Sequence, residues 1–138
     1  MKKIAGFFMA IAFSLILAAC SGGGSEVSTS ISVTMTDFQY IPNSFTVPAG
    51  QEIDFTATNN GGVEHSFVIM NLGKDITTGF TNADLANVYW EETAIPVGQS
   101  VTDTFTAPSE PGTYQIVCAV PGHLEAGMIA KLMVVAGG

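Results

Sequence analysis

Positive charge is what this chain of 138 residues has least of: it contains no arginine, and its four lysines face twelve acidic residues. Two of those lysines are Lys2 and Lys3, so removal of an N-terminal segment leaves a net charge of about −10. Such a balance disfavours binding to DNA, RNA or anionic lipid and would steer basic partners at low salt, although for most of the carboxylates solubility alone is an equal explanation. Charged residues are only 12% and hydrophobic ones 47%, which excludes a disordered chain. Cysteine occurs twice, too rarely for a disulfide framework, and the two sit in unlike settings: Cys20 ends an apolar segment and Cys118 lies deep in the later chain. Histidine also occurs only twice, at His65 and His123. Helical periodicity is almost absent, which argues against a helix bundle.

At the N-terminus, Met1-Lys2-Lys3 is a basic leader and Ile4 to Leu17 an apolar stretch, followed by Leu17-Ala18-Ala19-Cys20. Small residues before a cleavage point are those a signal peptidase accepts. A cysteine immediately after them resembles the bacterial lipobox, in which Cys20 is lipidated and becomes the mature N-terminus. An ordinary secretory signal with an incidental cysteine, or an uncleaved anchor, is the other reading. Residues 1–19 are therefore expected to be a lipoprotein signal peptide, and residues 20–27 a lipidated cysteine with a Gly/Ser tether. About eight such residues reach roughly 15 Å. The folded part, residues 28–138, would then work outside the cytoplasm, in the cell envelope, lipid-anchored to a bacterial membrane.

From about Val27 the chain becomes a series of short β-branched and aromatic runs punctuated by Gly, Pro, Asn and Asp. Ile31, Val33 and Met35 alternate with polar residues, as do Ile53, Phe55 and Ala57. Phe45 and Val47 form a short run closed by Pro48-Ala49-Gly50, and Phe67 to Met70 is apolar on both faces, as an interior strand should be. Val101 to Ala107, Tyr114 to Cys118 and Met128 to Val135 complete seven expected strands, with Asp103 breaking the inward parity of its run. Seven strands in about 110 residues favour an all-β, Greek-key antiparallel β-sandwich. Residues 71–98 are too long for a bare loop. A short helix over Asn82 to Asn87 with Asn82 as N-cap is expected there, with Val88, Tyr89 and Trp90 packing the excursion onto the sandwich.

The chemistry-bearing residues converge on one stretch. Cys118 ends a β-type run, His123 follows after Pro121-Gly122, and Met128 follows Gly127, at intervals of five. His65 opens an apolar strand just after Gly61-Gly62. Taken singly, each has an ordinary structural reading as a core cysteine, a core methionine or a turn histidine. Jointly, two imidazoles, a thiolate and a weak thioether suit copper, which needs little rearrangement between Cu(I) and Cu(II) in such a set.

Cys118-x4-His123-x4-Met128, preceded by Gly112-Thr113-Tyr114 and followed by the strand with Lys131, resembles the copper loop of the blue copper proteins, or cupredoxins. Phe45 to Gly50 and Gly61 to Phe67 are similar to the family's second-strand turn and its first-histidine segment, so the likeness spans Ile31 to Val135. The spacing is of azurin and auracyanin type. The resemblance implies a cupredoxin-like sandwich over residues 28–138 holding one mononuclear type 1 copper on His65, Cys118, His123 and Met128. It also implies electron exchange with redox proteins or membrane electron-transfer complexes, no catalysis and a monomer. Many relatives have Asn after the first histidine where this chain has Ser66, and azurins have Gly where it has Glu64.

His65 is expected to be the buried imidazole. His123, within an apolar patch of Val120, Pro121 and Leu124, is expected to be the edge through which electrons pass. A copper oxidase or reductase would need further histidines, and this chain has none to spare. A copper-delivery lipoprotein of the envelope is the alternative function, and it would favour exchangeable Met/His sites over a buried thiolate.

Overall fold

A computed structural model describes residues 26–137. The expected signal peptide, the expected lipidation at Cys20 and nearly all of the expected tether lie outside the described residues.

Among the described residues, nine strands form two sheets: β1 (Ser30–Thr36), β2 (Gln39–Ile41), β3 (Ser44–Pro48), β4 (Glu52–Asn59), β5 (His65–Met70), β6 (Val88–Ile95), β7 (Ser100–Thr106), β8 (Gly112–Val117) and β9 (Ile129–Val135). One sheet has the order β2-β1-β4-β7 and the other β3-β9-β8-β5-β6. The all-β sandwich expected from the sequence is present, and all seven expected strands occur. Alternation explains their faces. In β1 and β4 every second side chain is buried, and Ile31, Val33, Ile53, Phe55 and Ala57 meet Phe67, Ile69, Ile116 and Leu132 in one core.

Three features depart from the sequence-based expectation. The sheets are mixed, because β1 pairs with β4 in parallel and β3 with β9 in parallel. The chain changes sheets between β2 and β3, so β4 returns beside β1 in the same direction instead of closing a hairpin. Two strands were not expected. β2 has only three residues. β6 carries Glu91 and Glu92 in mid-strand, and its pairing with β5 is interrupted by two register shifts, which blurs the alternation. Val88, Tyr89 and Trp90 therefore belong to a strand. Trp90 stacks on Phe105 at 4.6 Å and meets Phe55 edge-on at 5.0 Å.

The excursion is shorter than expected, and its helix is a single 3₁₀ turn, Asp84–Asn87. Asn82 does not cap it. Ala83 occupies that position, and the Asp84 carboxylate reaches back to accept bonds from the Thr81 N–H (2.8 Å) and hydroxyl (2.7 Å). The segment is fastened at Ile76, whose N–H and carbonyl both bond the Gln115 amide at 2.8 Å. Ile76 and Phe80 then cover Val68, Met70, Val117 and Leu124 in a second apolar cluster. This cover is why β5 is buried at every position, on both faces.

Candidate metal centre

β5 and β8 are neighbours in register, with Val68 opposite Val117 and Ile69 opposite Ile116. That pairing brings His65, the first residue of β5, alongside Cys118, the residue that follows β8. The chain then makes a knot of tight turns. The His123 N–H bonds the Val120 carbonyl, the Ala126 N–H that of Gly122 and the Met128 N–H that of His123 (3.0–3.1 Å). Gly122 and Gly127 have φ of 85° and 94°, which side-chain-bearing residues rarely adopt, and so permit the two reversals. His123 is thereby folded back over Cys118.

The ligand atoms of His65, Cys118 and His123 all lie within 4.8 Å of one another. The two Nδ1 atoms are 3.2 Å apart, and Cys118 Sγ is 3.3 Å from His123 Nδ1. Donors bound at about 2.0–2.3 Å around one metal ion sit roughly 3.3–3.8 Å apart, so these residues fit a single ion with little adjustment. His65 and Cys118 are fully buried, His123 is 6% exposed, and Cys118 is a free thiol. Met128 is also fully buried in the main core. A thiolate with two imidazole nitrogens is a soft to borderline donor set, suited to copper.

Bonds around the cluster fix it. The Ser66 N–H donates to Cys118 Sγ at 3.4 Å, and the Ser66 hydroxyl lies 3.7 Å from that sulfur while accepting the Ala119 N–H at 2.8 Å. Ser66 thus ties the segments bearing His65 and Cys118 together. Tyr40, from the unexpected β2, donates its hydroxyl to the Ser66 carbonyl at 2.6 Å. Burial, and secondarily the sulfur of Cys118, hold that phenol well above its ordinary range. Burial, and then the neighbouring His65, push His123 below the ordinary imidazole value, which favours the neutral, metal-binding form.

Sequence reasoning missed two residues. Asn59 is fully buried; its side chain donates to the carbonyls of Val63 (2.8 Å) and Ile95 (2.9 Å) and accepts the Gly61 N–H (2.8 Å). It pins the turn that delivers His65, and its place in Asn59-Asn60-Gly61-Gly62 marked only a strand end. Asp37, in the β1–β2 turn, places Oδ1 3.0 Å from His65 Nε2, and its Oδ2 accepts the Gly62 N–H at 2.8 Å. The Gly62 N–H chiefly holds this carboxyl below its usual range; burial opposes it and His65 assists. At 28 residues from His65, nothing in the sequence joined them.

The expected surface patch also needs correction. Leu124 is only 4% exposed and belongs to the inner cluster beneath the excursion, because the turn after His123 directs it inward. Val120 is half-buried and Pro121 exposed. Phe38, 38% exposed, meets the His123 ring edge-on at 4.7 Å.

Comparison with known proteins follows the same lines. Residues 27–135 match the family model described as copper binding proteins of the plastocyanin/azurin family. Auracyanin-A of Chloroflexus aurantiacus is 30% identical over 89% of this chain and 91% of its own length. Auracyanin-B of the same organism is 32% identical over 85% of this chain, an alignment that spans 59% of that relative's length. The crystal structure of dithionite-reduced auracyanin from Roseiflexus castenholzii superposes with a TM-score of 0.69 at 32% identity, covering 80% of this chain and 99% of the other.

Proposed function

The chain belongs to the plastocyanin/azurin family of copper-binding proteins, and from that premise we propose that it is a membrane-tethered blue copper electron carrier of the cell envelope. One type 1 copper is its cofactor, supplying one-electron chemistry between Cu(I) and Cu(II). In this reading His65, Cys118 and His123 hold the metal and Met128 supplies a weak fourth contact. The observation that carries it is the convergence of two imidazole nitrogens and a thiol sulfur, 3.2–3.3 Å between neighbours, in a buried pocket.

The residues around that pocket do the rest. Ser66 and the strand pairing of β5 with β8 keep the donors in place whichever oxidation state is bound. Small rearrangement between states is what fast electron transfer needs. Burial keeps water from a further coordination position, and both histidines of the chain are engaged. That suits a carrier rather than an enzyme. Electrons pass through the His123 edge, under Phe38 and beside Val120 and Pro121, to redox proteins or membrane complexes.

The first test is the visible spectrum of the purified chain after addition of Cu(II), followed by reduction and reoxidation. An intense blue band that bleaches and returns is expected. A colourless copper complex that hands its metal to an acceptor protein would sink the carrier reading in favour of copper delivery. Tethering is tested separately: wild type should incorporate labelled fatty acid and fractionate with membranes, and Cys20→Ser should do neither.

A further inference from the structure

A carboxylate in contact with the buried histidine is not needed to hold a metal, yet this chain builds one with some care. Asp37 Oδ1 lies 3.0 Å from His65 Nε2, the nitrogen that points away from Cys118 and His123. Its second oxygen is anchored by the Gly62 N–H at 2.8 Å, so the carboxylate is held at both ends. A Cβ on Gly61 would collide with Asp37 Oδ1 and lie 2.8 Å from His65 Nε2, so the missing side chain at position 61 is what lets the carboxylate reach the ring. Asn59 fixes that same turn by accepting the Gly61 N–H. His65 is fully buried whereas Asp37 is 35% exposed, so the contact runs from the ligand cluster to the protein surface.

Resting on the copper-carrier reading, we infer that Asp37 is a positioning residue that sets the reduction potential of the centre through His65. The argument is one of charge and tautomer. A carboxylate at 3.0 Å demands an N–H on Nε2, which leaves the lone pair on Nδ1, the atom that faces His123 Nδ1. The same bond draws the Nε2 proton toward oxygen and makes Nδ1 a stronger donor, as carboxylate partners of metal-bound histidines do. A stronger, more negative donor set favours Cu(II) over Cu(I). Asp37 therefore lowers the potential relative to the same site with a neutral partner, and Gly61 is part of the device.

Two measurements test this. In the metal-free protein near neutral pH, long-range ¹H–¹⁵N correlation reads the His65 tautomer without any copper. The Nε2–H form is expected, and the Nδ1–H form overturns the proposal. In the copper-loaded protein, Asp37→Asn removes the charge but keeps one oxygen for the ring proton. It should stay blue while the Cu(I):Cu(II) ratio at a fixed potential rises about tenfold, the lower end of the effect such partners have on metal affinity, taken here as falling on Cu(II); that is about 59 mV upward for one electron. A blue Asp37→Asn protein with an unmoved potential overturns the role of Asp37 and leaves the carrier reading intact. A wild type that never turns blue overturns the carrier reading instead, and the tautomer still reports on Asp37. Should Asp37→Asn not fold, Gly61→Ala keeps the charge but pushes the carboxylate off the ring. Its potential should move upward too, and an unchanged value overturns the proposal.

Discussion

Cys118 follows β8 with no solvent exposure, and its sulfur receives the Ser66 N–H and faces His123 Nδ1 at 3.3 Å. Intense colour in such a centre comes from charge transfer between sulfur and Cu(II), which needs the thiolate itself. Cys118→Ser replaces it by a hard, poorly acidic hydroxyl of similar size. The expected outcome is loss of the blue band with the β-sandwich retained, checked by visible absorption beside circular dichroism; a variant that stayed blue would refute the ligand assignment. Met128, fully buried, can be exchanged for Leu with little change in volume. Met128→Leu should keep the colour, because the thiolate remains. Its potential should rise, because Cu(II) loses more than Cu(I) when a weak donor is withdrawn, and voltammetry reads the shift. Cys118, His123 and Met128 could be singled out in the sequence because they stand five residues apart, and His65 because it is the other of only two histidines and opens an apolar run. Asp37 and Asn59 could not, since both belong to a residue type common in turns and act only through contacts made by the fold.

At the scale of elements, two joints carry the site. The first is Ser66, which connects β5 to the loop after β8 by accepting the Ala119 N–H at 2.8 Å while lying 3.7 Å from the sulfur. Ser66→Ala leaves that N–H without its partner, at a cost of about 1–2 kcal/mol in stability. It also removes a donor beside the thiolate, so sulfur becomes a better ligand for Cu(II) and the potential should fall. Denaturant titration and voltammetry read the two effects together, and a higher potential would contradict the hydroxyl's role as donor. The second joint is the excursion between β5 and β6, which covers Val68, Met70, Val117 and Leu124. Sequence patterning places Leu124 with Val120 and Pro121 on the surface; the fold buries it. Leu124→Ala should accordingly lower stability by about 2–4 kcal/mol, measured by denaturant unfolding; a variant as stable as wild type would return Leu124 to the surface. β1 and β4 were legible by clean alternation and β5 by its unbroken apolar run. β6 was not, because its paired glutamates and register shifts hide the period, and neither was the parallel pairing, which depends on where the chain changes sheets and not on any local run.

Over the whole molecule, electrostatics is set by composition more than by fold. Among the residues from 20 onward, only Lys74 and Lys131 offset twelve carboxylates, and both lysines are exposed. The ordinary sandwich and its apolar core were therefore predictable from alternation, while the sign of the surface field was predictable from counting. How that field acts on the proposed exit at His123 follows from what surrounds that residue. The uncharged rim proposed there consists of Phe38, which meets the His123 ring at 4.7 Å, with Val120 and Pro121 just before His123 in the chain, whereas Asp37 precedes Phe38 and Glu125 follows His123 by two residues. Docking at such a rim is brief, and its rate is governed by long-range attraction rather than by tight contacts. A cationic one-electron reagent should thus react faster with the reduced protein than an anionic reagent of similar driving force. Raising the ionic strength from about 0.01 M to 0.15 M shortens the screening length from roughly 30 Å to 8 Å. The cationic reaction should slow over that range and the anionic reaction should quicken, each read by stopped-flow bleaching or return of the blue band. Equal salt dependence for the two reagents would mean that electrons leave through a surface that does not feel the acidic charge.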